Sequence, residues 1–132
     1  MLRLSLLRKD DGQAAAEMAL VLPILAALLL GIAQFGIVFN NYITLTDATR
    51  IGARKATISR FVGDAGAGAL TATRGAATNL DQSTLAVSVS STNWNVPGSD
   101  VTVTATYPYS VNILGWTIKS GLLTSTTKER LE

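Results

Sequence analysis

The stretch GQAAAEMALVLPILAALLLGIAQFGIVF, from Gly12 to Phe39, decides the fold of this chain. Its last 22 residues, Met18–Phe39, carry no charge. At 1.5 Å per residue they form a helix of roughly 33 Å, enough to cross a hydrocarbon core of about 30 Å. A removable secretory signal has a shorter apolar region with a small-residue cleavage site after it, and this run fits neither feature. The stretch therefore predicts a retained membrane-spanning helix over residues 18–39.

The composition limits what the rest of the chain can be. With 132 residues, there is room for one small domain beside the helix. A hydrophobic share of 48% and a charged share of 15% exclude a disordered chain. The net charge of +2 gives no electrostatic case for nucleic acid. The absence of cysteine and histidine excludes thiolate nucleophiles, histidine bases and Cys/His zinc sites, so we expect no cofactor.

Glu17 is the one carboxylate at the mouth of the apolar run. At the membrane interface its side chain would reach water at little cost. In mid-bilayer it would cost about 2.5–3.5 kcal/mol and would need a partner. The residues alone leave both interpretations open. Arg3, Arg8 and Lys9 precede the run, which mildly favours a cytoplasmic N-terminus and an external C-terminal part.

The N-terminal pattern resembles that of type IV pilin-like proteins of the tight-adherence class, in particular the TadE-like family. The pattern is a charged leader, Gly12, the four residues Gln13–Ala16, Glu17 and an apolar helix. The resemblance implies that a prepilin peptidase cuts after Gly12 and makes Gln13 the new N-terminus. It also implies that Glu17 pairs with an N-terminal amine when subunits assemble. The chain then divides into a leader (1–12), a long helix (13–62) and a small surface domain (63–132).

The resemblance continues along the helix and suggests an assembly role for Pro23, Gly31, Phe35 and Gly36 together with Glu17. The segments 46–56 and 124–132 also look like the family's arginine-bearing continuation and polar end. One departure is Met18, where an aromatic residue often follows the glutamate. The implied partners are copies of the same chain in a helical filament, the bacterial inner membrane before assembly, the pilus assembly platform and a prepilin peptidase. No nucleic acid is implied.

The helical pattern continues beyond the apolar run. Small residues recur at spacings of three and four, which predicts a face for close helix packing, and Asp47 and Arg50 are spaced to pair. This face comprises Leu45, Ala48, Gly52, Ala56 and Ser59. The glycine-rich segment 63–68 is predicted to break the helix. The Ala-rich segment 69–80 predicts a second, shorter helix.

The residue pattern of the C-terminal half predicts β-strands. Segments 83–91 and 100–109 alternate apolar and polar residues, and the NWNVPG turn between them predicts an antiparallel hairpin. Segment 121–130 is a third strand candidate. The intervening segment 110–120 is predicted to be a loop that buries Ile113, Leu114 and Trp116, and Trp94 is likewise interpreted as a packing residue. We expect an α+β fold with a small sheet on the upper half of the long helix.

Three functional classes follow from these features. The leading hypothesis is a structural pilus subunit, with a minor pseudopilin that primes assembly as a variant of it. The second is a membrane-anchored surface binding module without a filament. The third is an enzyme, for which no site is visible: Asp64 and Asp100 stand alone in turns, and Glu129 and Glu132 lie near the chain end. We therefore expect no catalytic activity.

Overall fold

The computed structural model describes residues 7–59, 64–94 and 96–131, with side chains from Gly12 onward. Helix α1, Leu7–Ser59, has 53 residues and is roughly 80 Å long at 1.5 Å per residue. It runs without interruption through Pro23. The predicted leader before Leu7 and the predicted helix end at residues 60–62 lie outside the described residues. The long N-terminal helix is confirmed.

The small-residue face of α1 packs inside the chain. Ala48, Gly52 and Ala56 are all buried, and the second helix α2, Ala65–Ala76, lies against this face. A Cβ on Gly52 would overlap the Oγ1 of Thr73 in α2. Only glycine therefore allows the two helices to approach this closely.

The position of α2 corrects the sequence prediction. Gly66 and Gly68 were predicted to lie in a helix-breaking segment, and the helix itself was expected over 69–80; instead both glycines are in α2. Asp64 caps the helix, because its Oδ1 accepts a hydrogen bond from the backbone N–H of Ala67 at 3.1 Å. The cap and the packing on α1 outweigh the low helix propensity of glycine. Gly63 lies outside the described residues.

Three antiparallel strands follow in the order β1-β2-β3: β1 is Ala86–Ser91, β2 is Asp100–Ile113 and β3 is Trp116–Arg130. In the predicted hairpin, β1 pairs with β2 from Ala86↔Thr106 to Ser91↔Val101. Asn95 of its turn lies outside the described residues. The α+β fold is confirmed.

The prediction of a loop at 110–120 was wrong. Past the pair Ala86↔Thr106, where β1 begins, strands β2 and β3 continue as a two-stranded ribbon. The ribbon turns at Leu114 and Gly115, both at positive φ. Leu114 and Trp116 are 71% and 79% exposed, so neither is a packing residue. The sheet also reaches further down α1 than its upper half, because Ile113 Cδ1 lies 3.8 Å from the position of a Cβ on Gly31.

The core consists of two buried clusters between α1, α2 and the sheet. We call the N-terminal end of α1 its lower end. The lower cluster contains Leu45, Ala48, Ala77, Leu80, Leu85 and Ala105. The upper cluster contains Ala53, Ala56, Ala69, Val101, Val103 and Leu131, with Trp94 packed against it. The lower end of α1 contributes to neither cluster.

A buried hydroxyl group joins α1 to the sheet. Thr49 is fully buried, and its Oγ1 donates to the carbonyl of Thr46 at 2.8 Å. It also lies 3.2 Å from Ser125 Oγ and 2.9 Å from Thr127 Oγ1. These bonds satisfy a polar group that would be costly to bury alone, and they fix β3 relative to the helix.

Candidate assembly surface

The main surface feature is the exposed apolar part of α1. Between Met18 and Phe39 its large apolar side chains, except the half-buried Val38, are from 42% (Leu30) to 73% (Leu20) exposed. Among the described residues, one helix is long and apolar enough to cross a membrane, judged by length and composition, and it is this one. Leaving one such side chain in water instead of an apolar surrounding costs about 1.5–3 kcal/mol. This surface therefore requires an apolar environment.

The exposed helix differs along its length. Every residue from Gly12 to Ala26 is exposed. From Ala27 upward a stripe of partly covered residues recurs at spacings of three and four and leads into the buried small-residue face. The stripe comprises Ala27, Gly31, Gln34, Val38 and Asn41. The lower helix is thus bare, and the middle of the helix is covered on one side by the ribbon.

Glu17 and Gln13 lie together at the bare end. Gln13 Nε2 donates to Glu17 Oε1 at 3.2 Å, one helical turn apart on an exposed face. Gly12 precedes them in the same helix, and nothing lies within 4 Å of a Cβ added there. The structure therefore brings the two predicted processing residues and the predicted assembly carboxylate onto one accessible helical turn.

The other four predicted assembly residues have different surroundings. Pro23 is exposed on the bare part of the helix, and Gly31 faces the ribbon of the same chain. Phe35 and Gly36 line an open, largely apolar groove of about 490 Å³. The groove is completed by Val38, Phe39, Tyr42 and Leu123. Phe35 and Gly36 are thus accessible to another molecule, whereas Gly31 is partly covered by the ribbon of the same chain.

Leu123 is a contact residue that the sequence does not reveal, whereas Ile113 was predicted to be buried and is half-buried against the helix. Leu123 borders the groove, and Ile113 lies beside Gly31. The signal for a strand at Ile113 is the apolar alternation of β2, which continues past Tyr109 in Val111 and Ile113.

The ion pairs of the described residues lie apart from the bare part of the helix. Asp47 and Arg50 form the predicted pair at 3.6 Å, with both side chains more than half exposed. In the sheet, Lys128 Nζ lies 2.8 Å from Asp100 Oδ2, and its hydrogen bond lowers the pKa of Asp100. The hydroxyl and backbone N–H of Ser83 lower the pKa of Asp81 in the same way. These are exposed surface interactions, and they contribute little to assembly energy.

The chemistry that this surface offers is association with apolar surroundings. Within the described parts of the chain, no three acidic residues gather where they could hold a metal ion. The surface consists of apolar side chains around one carboxylate that has one amide partner. Such a surface can enter lipid or pack against other apolar helices.

Comparison with known proteins supplies one match. The family model described as TadE-like protein matches residues 12–54, from the predicted cleavage glycine to the second arginine of the upper helix. No curated protein and no solved structure shows significant similarity to the chain. The matched segment contains Gly12, Gln13 and Glu17 together with the exposed apolar helix. The resemblance to the TadE-like family is therefore confirmed over residues 12–54, about a third of the chain.

Proposed function

We propose that this chain is a structural subunit of a type IV-like pilus of the tight-adherence class, assembled through its apolar N-terminal helix for surface attachment. The TadE-like match associates the chain with such a pilus. The single observation that carries the proposal is the exposed apolar surface between Met18 and Phe39. Such a surface needs a cover, and in a filament the same helices of neighbouring copies provide it.

The energetics favour helix burial as the source of cohesion. The surface includes Leu22, Ile24, Leu25, Leu28, Leu29, Ile32, Phe35, Ile37 and Phe39. Each contributes about 1.5–3 kcal/mol when it moves from water into an apolar surrounding. An exposed ion pair such as Asp47–Arg50 contributes roughly 0–1 kcal/mol. The helix surface therefore outweighs the charged upper helix by a wide margin.

The Gly12–Glu17 turn supports processing and pairing. Glycine at position 12 lowers the local helix propensity by about 1 kcal/mol relative to alanine, which eases the local opening that a peptidase needs. Cleavage after Gly12 creates an amine on Gln13, the residue whose side chain already contacts Glu17. In a filament core without water, a carboxylate and an amine are costly apart and tolerable together. We therefore infer that the Glu17 carboxylate pairs with the N-terminal amine of an adjacent subunit.

Before assembly the chain is a single-pass protein of the bacterial inner membrane. Its N-terminus is cytoplasmic, where a prepilin peptidase reads Gly12, and its sheet domain is on the outer side. The pilus assembly platform then extracts it into the filament. The apolar helix changes its surroundings from lipid to other helices and at no stage faces water.

Substitution of Glu17 tests the proposal. Glu17→Ala and Glu17→Gln are expected to insert into the membrane at least as well as the native chain, because the cost of the charge falls. Both should reduce the yield of filaments sheared from cells. Asp47→Ala is the control: it removes another exposed carboxylate of the same helix, above the apolar run, and should leave the yield unchanged. If both Glu17 variants give the same filament yield as the native chain, the pairing role of Glu17 is refuted.

A further inference from the structure

The ribbon formed by β2 and β3 has a tip that lies beside the middle of the apolar helix. Its turn residues Leu114 and Gly115 follow Ile113, which contacts the position of Gly31. The partly covered stripe on α1 begins still lower, at Ala27. The tip therefore lies at the level of residues 27–31, well below the buried core.

The bare part of the helix is too short to span a bilayer by itself. Residues 12–26 number 15, and at 1.5 Å each they extend roughly 22 Å, against about 30 Å for the hydrocarbon core. The span cannot begin much earlier, because Lys9, Asp10 and Asp11 immediately precede it. A span of about 20 residues that starts at Gly12, rather than at the predicted Met18, ends at Gly31, level with the ribbon tip. Glu17 then lies five residues inside the cytoplasmic boundary, and its side chain extends back toward water. Any later start moves the tip deeper into the hydrocarbon.

The side chains at the tip suit a lipid boundary. Leu114, Trp116 and Ile118 are all more than 60% exposed although they are large and apolar. Tryptophan has an apolar ring with one polar N–H, and it is enriched where hydrocarbon meets headgroups. Thr117 and Asn112 pair within the ribbon: Thr117 Oγ1 donates to Asn112 Oδ1 at 2.7 Å, and Asn112 Nδ2 donates to Ser110 Oγ at 3.3 Å. Such internal pairing lowers the cost of leaving water.

The backbone limits how deep the ribbon goes. Pairing between β1 and β2 ends at Ala86↔Thr106, so the ribbon beyond Thr106 has open backbone edges on both sides. Open edges are not tolerated in lipid hydrocarbon. The insertion is therefore confined to the tip, and the span lies toward the N-terminal end of the apolar run.

We propose that the ribbon tip, residues 113–118, inserts among the phospholipids of the outer leaflet before assembly, with Trp116 at the headgroup boundary. The proposal rests on the membrane-spanning part of the proposed function and not on pilus formation. It gives the sheet domain a second membrane contact beside the helix, and this contact is withdrawn when the chain leaves the bilayer.

Tryptophan quenching tests the insertion. The chain has two tryptophans, so Trp94→Phe leaves Trp116 as the single emitter and Trp116→Phe leaves Trp94. The full chain is reconstituted at low density in phosphatidylcholine vesicles that contain lipids brominated on the acyl chain near the headgroup. Trp116 should lose roughly half its emission or more, as expected for a ring at the interface. Trp94, next to Gly66 at the opposite end of the sheet, should keep its emission.

Thiol labelling gives a second readout that leaves Trp94 in place. The chain contains no cysteine, so Leu114→Cys and Ser90→Cys each introduce a single thiol at an exposed position. In intact vesicles a membrane-impermeant maleimide should label Ser90→Cys at least about ten-fold faster than Leu114→Cys, since lipid excludes the reagent. In detergent with a small permeant maleimide, both thiols should react.

Three results would overturn the proposal. Unquenched Trp116 and fast labelling at position 114, in vesicles where the helix resists alkaline extraction, would place the tip in water. Protection of position 114 that appears only at high protein density would assign the tip to a second copy of the chain. Extraction of the whole chain by alkali would instead refute the membrane span itself, and with it that part of the proposed function.

Discussion

The close contact between α1 and α2 at Gly52 makes a quantitative prediction for Gly52→Ala. A Cβ there would overlap Thr73 Oγ1 and would lie 3.1 Å from the backbone oxygen of Ala69. Thr73 cannot simply rotate away, because it is fully buried and its hydroxyl donates to that oxygen at 2.8 Å. The backbone oxygen cannot yield without moving α2.

The expected magnitude follows from three effects. Overpacking costs about 1–3 kcal/mol, and a displaced buried hydroxyl costs about 1–3 kcal/mol more. The higher helix propensity of alanine offsets about 1 kcal/mol of this. We expect a net loss in the free energy of unfolding of about 1–5 kcal/mol. The control is Gly68→Ala in α2, where nothing lies within 4 Å of the new Cβ, and which should gain up to about 1 kcal/mol.

Urea titration of the detergent-solubilised full chain, followed by Trp94 fluorescence in a Trp116→Phe background, measures both variants. The midpoint should fall for Gly52→Ala and rise for Gly68→Ala at unchanged slope. The double variant Gly52→Ala/Thr73→Ala should recover part of the loss, because it removes the colliding hydroxyl and methyl groups. A Gly52→Ala midpoint equal to or above that of the native chain would refute the packing argument.

Three further predictions concern processing, pH and cohesion. Gly12→Leu should accumulate a precursor that retains residues 1–12, whereas Gly68→Leu should be processed normally; mass spectrometry of both chains decides this. The lowered pKa of Asp100 means that its pairing with Lys128 stabilises the fold above the ordinary carboxyl value of 3.8 and is lost as the pH falls through and below that value. Asp100→Asn should therefore flatten the acid side of a plot of melting temperature against pH, and an unchanged plot would contradict the assignment. Filaments should survive high salt and dissociate in detergent, since detergent replaces the apolar surroundings of the helix; dissociation by salt alone would place the cohesion in the charged upper helix.

The long helix and the first hairpin could be predicted because local patterns determine them. The apolar run and the small-residue spacing around Gly52 specify the helix, and strict alternation specifies the strands before and after the NWNVPG turn. Gly12, Gln13 and Glu17 were singled out as predicted processing and assembly residues because they follow one another at fixed spacing. Their roles come from the family resemblance and not from the periodicity.

The features that escaped prediction depend on contacts between distant residues. The start of α2 at Ala65 depends on the Asp64 cap and on packing against Gly52, which outweigh two glycines. The ribbon was predicted to be a loop because Leu114 and Trp116 were interpreted as buried, although apolar residues beside a membrane helix can be exposed. The bonding of Thr49 to Ser125 and Thr127 joins residues more than 70 positions apart and has no local signature.

Mass spectrometry of filaments sheared from cells shows whether this chain builds the pilus. We expect this chain to be the main polypeptide of the filament, with Gln13 as its first residue. A trace amount of the chain in the filaments would indicate a minor component that primes assembly. Its absence from the filaments would indicate an anchored surface module. An assembled chain that still begins at Met1 would contradict the pairing of Glu17 with a new N-terminal amine.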